Sequence, residues 1–246
     1  MFNVMKLKSP FLLIILVFLS SVSCKKETNI SFSEINIFSE KETLVEVVIP
    51  KANGDSNIAS TINNTLTKFA CDILNIDSAK EKKLTIEESI IAFNNAYKDF
   101  NALILKEFEG DFPNWEAFVD GEISYKNESI VSIAMTGSVI TNAANNNLVF
   151  KFFNFDLATG KSLKTKDLIN DIDQFTALVK KYYDKELMTV HTSLQAKNLD
   201  FKLPETIGFN DDGVIIIYND FEFGALSKDA VEFTIPYTVA NPFLKY

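Results

Sequence analysis

The spacing of apolar positions changes along the chain, and each change marks an element. Leu44 to Ile49 is an apolar run that reads as a strand, closed by Pro50 and a loop over Lys51–Asp55. Ser56 is then expected to cap a helix whose Ile58, Ile62, Leu66, Phe69 and Ile73 recur at helical spacing on one face. A second helix opens at Thr85, which has capping-box spacing to Glu88. Its stripe runs through Ile86, Ile90, Phe93, Tyr97, Phe100, Ile104 and Phe108. Apolar stripes of that length call for a sheet to pack on.

From Trp115 the period becomes two. Trp115, Ala117, Val119, Ile123 and Tyr125 are expected on one side, with Glu116, Asp120, Glu122, Ser124 and Lys126 on the other. The predicted sheet is therefore antiparallel with one wet face. Asn127-Glu128-Ser129 turns the chain, Val131, Ile133 and Met135 continue the pattern, and Leu148 to Leu157 forms the next strand. Asp171 caps a helix to about Met188. Val214 to Tyr218, after the turn Asn210-Asp211-Asp212-Gly213, and Val231 to Ile235 complete the sheet, with a short helix after Pro236. Strands and helices come in runs, so the expected class is α+β, an antiparallel sheet with helices packed on one face.

The stretch FFNFDLATGKS, residues 152–162, ends like a nucleotide-binding P-loop. Such a loop needs a first Gly five positions before Gly160, where this chain has Phe155. No apolar helical period follows until about Asp171, so no helix N-terminus is at hand for a phosphate. The reading is a turn over Ala158-Thr159-Gly160-Lys161, with Gly160 at positive φ. No nucleotide is expected.

Ahead of the folded part, a basic start (Lys6, Lys8), an apolar run Phe11–Leu19 and small residues Ser20–Ser23 make a secretory signal over residues 1–23. Ser21-Val22-Ser23-Cys24 resembles the lipobox of bacterial lipoproteins. That resemblance implies lipid attachment at Cys24, with the protein held on a membrane by its acyl chains. Lys25 stands where an inner-membrane retention Asp is common in such lipoproteins, which favours the outer membrane. Residues 24–39, including the polar stretch Lys25–Ser33, are expected to be a tether, so the folded part sits close to the membrane.

Charge narrows the partners. The chain carries −9, and loss of Lys6 and Lys8 with the signal takes it to −11, a sign that disfavours nucleic acid. Its 24 basic residues are all Lys, so the planar fork that grips phosphates and carboxylates is missing. Cys71 falls in the first helix and reads as a small buried hydrophobe. His191 is the single His, read as exposed. A zinc deacetylase needs an Asp and two His, and a serine hydrolase needs a nucleophile elbow and a base; neither set is present. Asp171 with Asp173, and Asp211 with Asp212, lack EF-hand spacing and read as cap and turn. No catalytic residue, metal ligand or cofactor is expected.

Several segments in order resemble a paired extracytoplasmic module: VEVVIPKA (45–52), IASTINNTL (58–66), FFNFDLATGKSLKTKDLI (152–169), IGFNDDGVIIIYNDFEFG (207–224) and VEFTIPY (231–237). The module is found in RsiV-like lysozyme-sensing anti-sigma factors and ahead of the catalytic domain of the peptidoglycan deacetylase PdaC. The resemblance implies a PdaC-like part over residues 40–111 and an RsiV-like α+β part over 112–246. It also implies binding of a cell-wall glycan (peptidoglycan) or a lysozyme-like wall hydrolase, or else a structural role docking another envelope protein. Two features depart from the family. A lipid anchor replaces the membrane span, and Thr141–Asn147 replaces a Gly-Gly-Ala-His-Pro-like segment. No ligand-binding residue is named by the sequence.

Overall fold

The computed structural model describes residues 30–76, 84–107, 113–142, 145–190, 201–218 and 231–246. The signal and Cys24, Phe108 and His191 lie outside the described residues, as do positions 143–144. Most of the stretch expected as tether is already structure. Strand β1 (Ser31–Glu40) pairs antiparallel with β2 (Leu44–Asn53) in unbroken register, Ser31 opposite Asn53 and Glu40 opposite Leu44. Ile35 and Ile37, the apolar minority of a Ser/Glu/Asn-rich segment, face Ile49 and Val47, and that contact orders the strand.

Strand β2 runs past Pro50 to Asn53 instead of stopping there. Its pairing with the next strand ends at Val48, so Pro50 sits where the ladder has one neighbour and a missing N–H is tolerated. Helix α1 (Ser56–Leu74) is capped by Asp55, not Ser56: Asp55 Oδ1 accepts from the N–H groups of Asn57 (3.1 Å) and Ile58 (3.4 Å). The α1 side chain of Asn63 then brackets Ala52 of β2, accepting from its N–H at 2.7 Å and donating to its carbonyl at 2.9 Å. Helix α2 (Ile86–Glu107) opens with the expected box, Thr85 N–H to Glu88 at 2.8 Å and Glu88 N–H to Thr85 Oγ1 at 3.2 Å.

After α2, strand β3 (Glu116–Lys126) returns parallel to β2, from Leu44 opposite Glu116 to Val48 opposite Asp120. Strands β4 (Ile130–Asn142), β5 (Asn145–Asp156) and β6 (Ser162–Leu163) follow as an antiparallel meander, giving one six-stranded sheet in chain order. Both helical stripes bury onto one face of it. Ile58, Ile62, Leu66 and Phe69 of α1 and Ile86, Ile90, Phe93 and Tyr97 of α2 meet Val45, Val47, Ala117, Val119, Ile133 and Phe155. Phe93, Tyr97 and Phe100 surround Trp115 at ring separations of 5.2–5.7 Å. Phe100 at the end of the stripe is 38% exposed.

Two expectations about the sheet are corrected. Ile123 and Tyr125 do not share a face, because the register of β3 on β4 shifts between them and a bulge turns Tyr125 to the far side, against Phe209 and Tyr237. Nor do the last strands complete the sheet. After the one-turn helix α3 (Thr165–Leu168) and α4 (Ile172–Val190), strands β7 (Gly208–Phe209), β8 (Gly213–Tyr218) and β9 (Val231–Pro236) form a separate three-stranded antiparallel sheet. Helix α5 (Tyr237–Ala240) follows it. Strand β6 has already taken the edge of β5, so the later strands stack on the reverse face of β4 and β5 instead.

The seam between the sheets is built from Ala134, Phe152, Ile215 and Ile217. It is tied by Asn154 Nδ2 donating to the Ile207 carbonyl at 2.7 Å and by the Phe209 N–H donating to Ser132 Oγ at 3.3 Å. All six residues of β8 are buried, since Val214, Ile216 and Tyr218 face a second core with Phe175, Val179 and Ile235 while Ile215 and Ile217 face the seam. The predicted wet face is therefore wet only over β1–β3 and the far halves of β4 and β5. The class is α+β.

Candidate functional site

The Gly-Lys-Ser stretch is a turn closed on itself. Strand β5 ends at Asp156, whose Oδ1 accepts from the N–H groups of Ala158 (2.9 Å) and Thr159 (2.8 Å) and from the Thr159 hydroxyl (2.9 Å). Gly160 has φ +73° and lies so near helix α1 that a Cβ there would stand 3.0 Å from Ile58 Cα. The donors that would cradle a phosphate thus already serve a carboxylate. Lys161 reaches Asp167 at 3.2 Å, and Asp167 also accepts from the Lys164 N–H at 3.0 Å. That N–H, with Lys161 second, holds the Asp167 carboxyl below the usual range.

The other candidate groups take structural positions. Asp171 accepts from the Gln174 N–H at 3.0 Å and caps α4, and Asp211 and Asp212 sit in the turn that Asn210 Oδ1 closes on the Asp212 and Gly213 N–H groups. Cys71 is 9% exposed; burial pushes its thiol pKa up, which lowers its reactivity. No group of three His, Cys, Asp or Glu side chains suited to a metal occurs among the described residues. No described helix is long and apolar enough to cross a membrane.

What the fold does assemble is an open sheet face opposite the helices. In-register neighbours share a face across strands, and three rows of them can be read off the pairing. One row is Phe38, Glu46, Phe118, Ser138 and Leu148; the next is Asn36, Val48, Asp120 and Thr136, ending at Phe150, which packs on the seam; the third is Glu40, Leu44, Glu116 and Ile140. The rows carry four carboxylates and no Lys. Phe38 and Leu148 are 58% and 60% exposed. None of the four carboxylates is in an ion pair among the described residues. The face is thus an apolar surface studded with acid that no base neutralises, Glu46 and Asp120 standing beside Phe38 and Phe118.

The sequence places Glu116 and Asp120 on the wet side, as the structure does. Phe38, Glu46 and Val48 beside them are invisible to it, because they arrive through the parallel pairing of β2 with β3 across two helices. Strand β1 carries the one local signal, the Ile35-Asn36-Ile37 alternation.

Two stacked sheets, with helices covering the outer face of the larger, define an α+β class seen in solved structures. A DUF3298-family protein from Bacteroides fragilis aligns over 90% of this chain and 96% of its own, with TM-score 0.61 and 15% identity. One from Pseudomonas aeruginosa aligns over the same shares with TM-score 0.55 and 14% identity. Residues 37–146 match the family model described as "Deacetylase PdaC", and residues 162–238 match "Protein of unknown function (DUF3298)". No curated protein matches the chain. The chain carries the paired PdaC-like and DUF3298 module, an extracytoplasmic module of unknown function. The first match takes in β3 and β4, so the division expected between residues 111 and 112 falls inside both the matched region and the six-stranded sheet.

Proposed function

We propose that this is an exported, lipid-anchored envelope protein whose module binds and does not catalyse, receiving a cationic wall hydrolase such as lysozyme on the open face of the six-stranded sheet. The observation that carries the reading is the three-row face with four carboxylates, exposed Phe38 and no base. A net charge of −9 over the whole chain adds long-range attraction of the same sign. A wall glycan is the weaker fit, since peptidoglycan carries carboxylates of its own and the face offers them no cation. Catalysis is disfavoured by the inventory: a single His cannot supply the two His ligands of a zinc deacetylase.

Salt separates a specific complex from charge attraction. A one-to-one complex with lysozyme is expected to persist at about 0.5 M salt, where the Debye length is roughly 4 Å, because buried apolar and hydrogen-bonded contacts are poorly screened. Cytochrome c, also basic, is expected not to compete. The double variant Glu46→Lys, Asp120→Lys should weaken the complex by at least about tenfold. Titration calorimetry measures all three. Loss of binding at that salt, or an unchanged affinity in the double variant, refutes the reading.

Anchoring is tested separately. Cys24→Ala is expected to leave a larger, unlipidated species that is soluble or misprocessed. Retention of palmitate label by that variant would show that the lipid is elsewhere.

A further inference from the structure

We propose that β1 is a docking edge, which accepts an extended segment of a partner protein bearing Lys or Arg at alternate positions as a seventh strand of the larger sheet. This does not rest on the hydrolase reading above; it concerns the edge of the sheet, which shares Glu40 with the open face. Among the described residues β1 ends the strand order, with all ten of its residues paired to β2 on one side and no strand on the other. Natural edges are blunted by Pro, charged side chains and Lys above all, bulges, inward charges or a covering element, and β1 has two such charges, Glu34 and Glu40. Over Ser31–Glu40 there is no Pro, no Lys and no register shift, and the inward positions hold Ile35 and Ile37.

A groove of about 1040 Å³ runs beside that edge, walled by Ile35 and Ile37 on one side and by α1 and α2 on the other, where Thr67, Cys71, Ile86 and Ser89 alternate with the charged Lys68, Asp72 and Glu87. A strand added roughly 4.8 Å beyond β1 would send every second side chain into the groove, where apolar or hydroxyl-bearing residues would meet Ile35, Ile37, Thr67 and Ile86. The intervening side chains would lie on the open face beside Glu34 and Glu40, the only charged residues of β1. Opposite charges across neighbouring strands attract, so those positions favour Lys or Arg. A second copy of this chain is the poorer occupant, since its own β1 brings two more carboxylates and no base.

The test uses the full chain and a blocked octapeptide alternating Lys with Val or Thr, with a control peptide of the same residues in blocks. The alternating peptide is expected to bind saturably by about millimolar concentration and to slow hydrogen exchange at β1 amides. The blocked-order control should bind at least about tenfold more weakly. Glu34→Lys with Glu40→Lys, and separately Thr67→Phe to fill the groove, should each weaken binding by about tenfold with an unchanged circular dichroism spectrum. Absence of β1 protection, equal binding of both peptides, or concentration-dependent protection of β1 without peptide, which would mean self-association, overturns the proposal.

Discussion

Phe155→Ala is expected to lower the unfolding free energy by about 3–5 kcal/mol, the range for emptying a buried Phe site. The ring is fully buried in the core under α1 and α2, on the strand that also carries the seam residues Phe152 and Asn154. Its neighbours cannot close in easily, since Val131 opposite it is held in the β4 ladder and Leu163 fixes the next strand. Against a total stability of about 5–15 kcal/mol, the loss removes a large fraction. Urea unfolding should show the midpoint falling with the slope unchanged. A shift of less than about 1 kcal/mol would mean that the ring is not packed as described.

Gly208→Val should strike the seam and spare the helix-covered core. A Cβ at position 208 would run into the Phe152 ring, so the ring or the sheet that carries it must give way. Overpacking of this kind costs about 1–3 kcal/mol. Separating the sheets also strands the Ile207 carbonyl and the Asn154 amide that now pair at 2.7 Å, adding about 1–3 kcal/mol for each buried group left unsatisfied. Hydrogen exchange reads the location. Amides of β7–β9 are expected to lose protection while those of β2–β4 keep it, and an equal loss in both sheets would show that the seam is not a separable boundary.

These two sites differ in how visible they are from sequence. The stripes of α1 and α2 announce themselves at helical spacing, so the core under the helices could be anticipated, whereas the strand of Phe155 has apolar residues on both faces (Phe150, Phe152, Phe153) and does not say which ring goes under the helices. The bulge at Ser124 left no mark, because one extra residue in a strand changes no composition, yet it reverses Tyr125. The continuous apolar run Val214–Tyr218 signals burial on both faces, but nothing local says that the second face meets Phe152 of another sheet. Strand β1 was hidden by its Ser, Glu and Asn, whose side chains point to water while its two Ile hold it in place. The acidic half of the open face was legible in β3, and the apolar half depended on a pairing between residues far apart in the chain.

That pairing has a kinetic consequence. Every other contact in the larger sheet joins neighbours along the chain, β1 to β2 and β3 through β6, and can form as soon as its hairpin is made. Leu44 and Glu116, by contrast, are 72 positions apart, and their ladder can close only after α1 and α2 have packed between them. Closing so long a loop is entropically slow, and parallel pairing brings no local reward on the way. On this topology the β1–β2 hairpin and the β3–β6 meander can each form early and join last, with the inner edges of β2 and β3 open in the interval. For a protein released N-terminus first, the β1–β2 unit with its helices must stay unaggregated until residue 120 has emerged, and this joining step is where its folding is most exposed to chaperones and proteases.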